Sequence, residues 1–424
     1  MNDQKLRKAL RRVLIVLLLV SAGILLGETG YYSGIKSRLF PGRGEYAAPV
    51  SGTEAAAVRP ADAVQPQAAV VCGAAGERFG AAYDGEKVSA VFSRFSAVVG
   101  EALGSSGTPE AVTETQFRAA LNGSGVFLQF YCPQPLELLS GWLGTAAGPA
   151  VASGSAGMML LCAEGDAVNL YYRTEDDGFF RVATEVSPEV LSGRTAEYAD
   201  NGARFAFEIP GLQDCGDFTV IPAGNRTAAA VNYSVPQYGS AETDELLDAM
   251  GMNSYLTSSY TEADGTQVFL YEDCILRVSS DGSVTFRRPA DSGSPAERTL
   301  SDAVNAAWQI AERCVGANIG AGTLLFAGSS YDETLHSRTL LLDYAVGGIP
   351  VQLASGHAAE IVLQGDTVVQ ARLQLCRFSV GEETAALLPD LQAHAVAGAE
   401  QAGAVLRYLA GGETMNCTWV KTDG

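Results

Sequence analysis

The chain has 424 residues and a formal net charge of −20, from 28 basic and 48 acidic side chains. So acidic a surface repels nucleic acid phosphates and anionic lipid headgroups, and we exclude both as partners of the main body of the chain. A chain of this length is too long for one hydrophobic core, which predicts two or three domains.

The first thirty residues carry a targeting signal, an apolar run over residues 13–26. It follows the basic residues Lys5, Arg7, Lys8, Arg11 and Arg12. Basic flanks stay in the cytoplasm, so we expect a cytoplasmic tail (1–12), a single-pass transmembrane anchor in the cell membrane (13–34) and an extracytoplasmic body. The alternative is a cleaved signal peptide, but Glu28 disfavours the nearest cleavage site, and we favour an uncleaved anchor.

After the anchor, residues 35–69 contain much Ala, Pro and Gly and few large apolar side chains, which predicts a spacer. An N-terminal α+β domain is expected over residues 70–236. Its clearest element is a helix over residues 88–103, because apolar side chains recur there at three- and four-residue spacing. Short apolar runs separated by Asp-Gly turns then predict an antiparallel meander.

Two further units, residues 240–292 and 299–424, each begin with a helix and continue into strands. In the second of them, Ser301 is predicted to open the first helix as a cap. A second long helix is expected over residues 382–409, interrupted near Pro389. The repeated order predicts two related modules in which a helix lies across an antiparallel sheet, and therefore an α+β fold.

A strand, a glycine turn and a second strand are predicted at residues 344–351, with the sequence Tyr-Ala-Val-Gly-Gly-Ile-Pro-Val, and a hairpin around Gly365 and Asp366 follows. This stretch, together with the layout of tail, anchor, spacer and modules, resembles the YycH/YycI family. The resemblance implies a membrane-anchored accessory regulator of an essential cell-wall-sensing histidine kinase in Gram-positive bacteria. It also implies two partners, the sensor histidine kinase and a related anchored accessory protein, contacted without catalysis.

The sequence predicts no catalytic residue, cofactor site or metal site. Ser33 and Lys36 match the S-x-x-K pattern of penicillin-interacting enzymes, but the S-D-N and K-T-G partners of that pattern are missing. The three histidines, His336, His357 and His394, lack the spacing of a zinc motif. We therefore expect a protein that is not an enzyme; the alternative is an active site assembled from scattered carboxylates.

Eight cysteines are spread through the chain without a C-x-x-C motif, and most have apolar neighbours. This pattern favours buried thiols, while disulfide pairing of some of them is the alternative for an exported domain. Three tyrosines, Tyr271, Tyr331 and Tyr344, are either surface contact points or ordinary strand residues, and we favour the second interpretation.

Two functions fit these observations. The first is a membrane-anchored extracytoplasmic regulator that modulates a cell-envelope sensor histidine kinase by protein–protein contact. The alternative is an anchored envelope binding module that captures a ligand or a wall component on its antiparallel sheets, without contact to a kinase.

Overall fold

The structure, a computed structural model, describes residues 64–73, 76–212, 218–236, 239–289, 299–398, 403–410 and 414–422. The predicted anchor, the Ser33 and Lys36 pattern and Cys215 lie outside these residues. The described residues belong to one compact unit.

Helices in the described residues confirm the strongest periodic patterns of the sequence. The predicted helix over residues 88–103 is helix α1, which is capped by the side chain of Asp84 and buries one apolar face against the first two strands. The helix expected to begin with Ser301 as its cap is instead capped by Thr299, whose hydroxyl accepts a hydrogen bond from the N–H of Asp302 at 3.1 Å. The helices are α1 (Gly85–Gly104), α2 (Glu114–Ala120), α3 (Leu136–Trp142), α4 (Pro188–Thr195), α5 (Ser240–Ala249), α6 (Leu300–Val315) and α7 (Asp390–Gly398).

The first sheet has seven antiparallel strands in the order β2-β1-β4-β5-β6-β7-β3. Its first strand begins inside the predicted spacer. The strands are β1 (Pro66–Cys72), β2 (Arg78–Ala82), β3 (Glu110–Val112), β4 (Gly125–Pro135), β5 (Ser155–Glu164), β6 (Ala167–Arg173) and β7 (Phe179–Ala183). A separate two-stranded ladder joins β8 (Arg204–Phe205) to β9 (Val220–Ile221).

The second sheet has thirteen strands, and it runs without interruption through both predicted helix-plus-meander modules. Strand β14 pairs antiparallel with β19, which joins the two meanders, and β10 pairs with β20 and β22 near the other end of the sheet. The strands are β10 (Thr227–Ser234), β11 (Ser258–Thr261), β12 (Gln267–Tyr271), β13 (Cys274–Val278), β14 (Ser283–Arg287), β15 (Gly322–Asp332), β16 (Ser337–Val346), β17 (Ile349–Gln352), β18 (Ala359–Gln364), β19 (Thr367–Gln374), β20 (Arg377–Ala386), β21 (Gly403–Leu409) and β22 (Thr414–Thr422).

The long helix predicted over residues 382–409 is wrong. Strand β20 extends to Ala386, α7 occupies Asp390–Gly398, and Gly403–Leu409 forms β21. The Ala-rich composition favours a helix locally, but β10 and β22 supply backbone partners along this stretch, and tertiary pairing overrides local propensity.

One face of the second sheet is buried, and the opposite face is mostly exposed or half-buried over β11 to β14, although Val268 on β12 is buried there. Paired residues on adjacent strands lie on the same face, so the row Phe269, Leu276, Phe286, Ala371 and Ile361 points inward, and all five side chains are buried. Helix α6 packs over this side and contacts β16 and β18. The arrangement confirms an α+β fold in which a helix covers an antiparallel sheet.

Candidate interaction surfaces

The glycine turn at residues 344–351 forms a joint between the two sheets. Gly347 and Gly348 have φ angles of 59° and 84°, the left-handed conformation that a two-residue hairpin turn requires. The N–H of Gly85, at the start of α1, donates a hydrogen bond to the carbonyl oxygen of Gly347 at 2.9 Å. The residues that carry the family resemblance therefore lie where the two sheets meet.

Other contacts strengthen this joint. The hydroxyl of Tyr131 on β4 donates to the carbonyl oxygen of Gly348, and the thiol of Cys132 lies 3.2 Å from the carbonyl oxygen of Phe326. The ring of Trp142 on α3 packs edge-on against that of Phe326, with centroids 6.0 Å apart. A continuous set of buried apolar residues runs through both sheets, so they are connected through one core.

A second connection is a buried polar cluster below α7, formed by Arg226, Asp390, His394, Tyr83 and Trp419. The Nε atom of Arg226 lies 2.8 Å from both carboxylate oxygens of Asp390, and Asp390 is 3% exposed. Burial raises the pKa of Asp390 in spite of Arg226. Burial also lowers the pKa of His394 to about 4, so its imidazole is neutral at physiological pH and packs edge-on against Trp419.

The outward face of strands β11 to β14 presents apolar and cationic side chains to solvent. Tyr260 and Ile275 are 51% and 44% exposed. Tyr260 pairs with Val268 and Ile275 pairs with Leu270, and because these two partners are two residues apart on β12, both side chains lie on the same face of the sheet. Strand β11 is at the edge of the sheet, and all four of its residues are exposed. We name this region the edge surface and define it by Tyr260, Leu270, Ile275, Arg277 and Arg287.

Two features make the edge surface a candidate for protein contact. Tyrosine, aliphatic and arginine side chains are enriched at the centres of protein interfaces. The segment that leads into β11 adds Tyr255 and Leu256, which are 96% and 65% exposed. The sequence did not predict the edge surface. Alternation along β13 shows that Ile275 and Leu276 lie on opposite faces of the sheet, but it does not show which of the two faces is covered by a helix.

The structure does not bring the residues considered in the sequence together at one site, although the hydroxyl of Tyr331 lies 3.4 Å from Nδ1 of His336. Tyr344 is fully buried and its hydroxyl donates to the carbonyl oxygen of Gln374 at 2.7 Å, so it is a structural strand residue, while Tyr271 and Tyr331 are half-buried. His357 lies on the surface with Nδ1 2.8 Å from Asp343, and His336 is in an exposed hairpin. Within the described ranges, no group of three or more His, Cys, Asp or Glu side chains is placed to hold a metal ion.

Seven cysteines fall within the described residues, and all seven are free thiols. Five of them are buried, which confirms the interpretation of these residues as small core side chains. Burial raises the pKa of Cys72 to about 11, so this thiol is protonated and unreactive at neutral pH. The buried cysteines are Cys72, Cys162, Cys274, Cys314 and Cys376.

These elements define an α+β fold of the YycH type, in which a helix-covered seven-stranded sheet meets, at a glycine turn, a second and larger sheet that is antiparallel except for the pair β17 and β21. A particular protein with a similar fold is YycH from Bacillus subtilis: its crystal structure matches this chain with a TM-score of 0.56 and 11% sequence identity, covering 88% of this chain and 96% of that one. The match confirms the expected resemblance at the level of the fold. No family model and no curated protein matches the chain.

In the part of the chain that the structure describes, no helix has both the length and the apolar character needed to cross a bilayer. The apolar run at residues 13–26 precedes the first described residue.

Proposed function

We propose that the chain is a membrane-anchored extracytoplasmic regulator that modulates a cell-envelope sensor histidine kinase by protein contact and is not an enzyme. The observation that carries the proposal is the likeness of fold to YycH over 88% of this chain. The resemblance of residues 344–351 to the YycH/YycI family supports the same function. A related anchored accessory protein is the second partner that this analogy suggests.

The proposed mechanism is a shift in the conformational equilibrium of the kinase. A regulator changes that equilibrium only if it binds two states of the kinase with different affinities. The anchor at residues 13–34 supplies one contact, with the transmembrane helix of the kinase, and the edge surface supplies a second contact outside the membrane. The edge surface lies on the same sheet as the glycine turn, and that turn is hydrogen-bonded to the start of α1, so the edge surface is connected to the first sheet through the fold.

The edge surface is tested by a double variant, Tyr260→Ser with Ile275→Asp. Both side chains are exposed, so the body should remain folded while the apolar contact is lost. Loss of two central interface residues is expected to weaken crosslinking of the kinase in membranes by about tenfold or more. The matched control is Leu335→Asp, because Leu335 is 59% exposed on a different hairpin. Unchanged crosslinking in the double variant rules out the edge surface as the kinase contact.

The anchor is tested by replacing residues 13–26 with an unrelated apolar helix of equal length. The variant keeps its location, so a change in kinase output reports the loss of specific helix contacts. If output and crosslinking are the same as in the native chain, the contact within the membrane is wrong. A reporter enzyme fused after Gly424 and active only in the cytoplasm contradicts the proposed topology, and with it the whole proposal.

The second candidate is an envelope binding module, and the open face of the meander favours it. An exposed sheet face with Tyr260 and Arg287 also suits a ligand or a wall polymer, since Arg287 is exposed and makes no ion pair with any other described residue. Retention of the purified full-length chain on isolated cell wall, lost in the Tyr260→Ser and Ile275→Asp variant while kinase output is unchanged, supports this function over the first.

A further inference from the structure

The open face of the second sheet carries three exposed arginines on three adjacent strands, in a chain whose net charge is −20. Arg277 lies on β13, Arg287 on β14 and Arg372 on β19. Arg277 and Arg372 both pair with Thr285, one from each side, and Arg287 is two residues from Thr285 on the same strand. The three side chains therefore share one face of the sheet, and we name them the arginine triangle.

The register of the strands sets the size of the arginine triangle. Diagonal neighbours on adjacent strands have Cβ atoms about 7–8 Å apart, which is the relation of Arg287 to each of the other two arginines. Arg277 and Arg372 are two strands apart, so their separation is about 10 Å. Side chains as long as arginine reach one another over such distances, and the half-buried Thr285 and Gln370 add a hydroxyl and an amide donor between them. The triangle can therefore present several donors to one anion.

Two of the three arginines already have a carboxylate partner. Arg277 pairs with Glu262, which follows β11, and Arg372 lies 3.4 Å from a carboxylate oxygen of Glu360 on β18. Arg287, between them, makes no ion pair with any other residue that the structure describes. Like charges at neighbouring positions of a sheet repel one another, so a further carboxylate over Arg287 relieves this repulsion and forms a charge-assisted hydrogen bond.

Apolar side chains lie beside the arginine triangle. Ile275 pairs with Arg287, and Leu270 pairs with Ile275 on the next strand. On the other side, Val362 pairs with Gln370, which is the second neighbour of Arg287. Ile275 is 44% exposed, and Leu270 and Val362 are half-buried. A ligand that matches this face therefore carries apolar groups as well as negative charge, which is the composition of a protein segment.

The acidic character of the whole chain does not prevent an anionic partner from binding at this place. At physiological ionic strength, charges more than about 8 Å from a contact are largely screened, so the arginines at the contact dominate there. A small anion on an open sheet face stays mostly in water, whereas an extended segment covers several rows of side chains at once. The geometry therefore favours a segment of a protein over a small ion.

We propose that the arginine triangle binds an acidic segment of a partner protein, with a carboxylate over Arg287 and apolar side chains against Ile275 and Leu270. The inference rests on the proposed use of the edge surface as a protein contact, and it adds the chemistry by which the partner is recognised. A phosphate-rich wall polymer matches the three arginines but leaves the apolar row uncovered. It is the competing occupant that an experiment has to separate from the first.

The test is fluorescence anisotropy with the full-length chain in phosphatidylcholine nanodiscs and a labelled random copolymer of glutamate and tyrosine. Poly-glutamate and inorganic polyphosphate of similar charge are the comparison probes. We expect the copolymer to bind about fivefold tighter than either, because its rings cover the apolar row. Arg287→Gln should weaken copolymer binding by about tenfold, since it removes a charge-assisted hydrogen bond. The matched control is Arg377→Gln, an exposed arginine on β20 that makes no ion pair with another described residue.

A gain of affinity provides an independent measurement. Glu360→Gln removes the carboxylate that competes for Arg372, so copolymer binding should strengthen by about two- to threefold, which damage to the fold cannot produce. Equal binding by the native chain and Arg287→Gln overturns the proposal. Polyphosphate that binds through Arg287 more tightly than the copolymer overturns it in favour of a wall polymer. The kinase is absent from these assays, so their failure and the failure of the proposed function, tested by crosslinking in membranes, are separate results.

Discussion

Arg226 and Asp390 form a buried ion pair that joins three parts of the fold. Arg226 precedes β10, Asp390 begins α7, and the guanidinium group of Arg226 also donates to the carbonyl oxygen of Ala82 at the end of β2. The first sheet, the last strands of the second sheet and α7 are thus held by one side chain. A buried pair of this kind matters chiefly through the cost of breaking it.

We therefore predict that Asp390→Asn lowers the free energy of unfolding by about 3–5 kcal/mol, because it leaves the Arg226 charge buried without its counter-ion. Urea unfolding followed by tryptophan fluorescence measures the change, and Trp419, a member of the cluster, is one of the three tryptophans that contribute to the signal. The double variant Arg226→Met with Asp390→Leu removes both charges and should recover most of the stability. A loss for Asp390→Asn below about 1 kcal/mol shows that the carboxylate contributes no more than a surface ion pair.

His394 makes the stability of the protein depend on pH. Burial, and then Arg226, lower the pKa of His394 from its ordinary value of 6.5 to about 4. Between these two values the unfolded chain binds a proton at this residue and the folded chain does not, so stability is lost as the pH falls through this window. The loss attributable to His394 is at most about 3 kcal/mol.

The measurement is the unfolding free energy of the native chain and of His394→Gln between pH 4 and pH 7. The difference in unfolding free energy between the two proteins should decrease as the pH falls, because protonation of His394 destabilises only the native chain and Gln cannot be protonated. Asp390 acts in the opposite sense, since burial raises its pKa and its contribution is lost as the pH rises, but this effect is shared by both proteins and cancels. A difference that does not vary with pH contradicts the burial of a neutral His394.

The sequence predicted those parts of the fold that have a regular apolar period. Helix α1 shows this best, because its apolar residues recur every three or four positions and the helix packs mainly against β1 and β2. The strands near Gly347 were also predictable, since a Gly-Gly pair between two apolar runs requires a tight hairpin. What the hairpin touches was not predictable, because Gly85 is 262 positions away in the chain.

The candidate surfaces were the least predictable part. From their side chains, Leu391 and Val396 would be expected in the core and Asp390 and His394 at the surface. In the structure Asp390 and His394 are buried, and Leu391 and Val396 are exposed. The burial of Asp390 depends on its ion pair with Arg226, and no local sequence pattern links Arg226 to α7. Long-range pairing also explains the error over residues 382–409, where strand β10, more than 140 positions away in the chain, pairs with β20.

Gly347 and Gly348 provide a matched pair of variants for the joint between the sheets. A Cβ atom at Gly348 would lie 2.4 Å from the backbone nitrogen of Gly85, whereas a Cβ atom at Gly347 would meet nothing within 4 Å. Both residues have positive φ. Gly347→Ala should therefore cost about 1–2 kcal/mol from backbone strain alone, and Gly348→Ala about 2–5 kcal/mol because α1 must also move.

Chemical denaturation of the two variants measures this difference, and hydrogen exchange at the amide of Gly85 locates it. In Gly348→Ala the amide of Gly85 should lose protection, because its hydrogen bond to Gly347 is displaced. Equal losses of stability in the two variants would mean that the close approach of the glycine turn to α1 is absent in solution.

Tyr344 tests the contribution of a single buried hydrogen bond within the residues that carry the family resemblance. Its side chain is fully buried, and its hydroxyl donates to the carbonyl oxygen of Gln374 at 2.7 Å. Tyr344→Phe keeps the ring but leaves that carbonyl oxygen without this donor, so we predict a loss of about 1–2 kcal/mol in the free energy of unfolding. The control is Tyr331→Phe, at a half-buried position with a 3.4 Å contact to His336, where the change should stay within about 0.5 kcal/mol. Similar effects of the two substitutions contradict a special structural role for Tyr344.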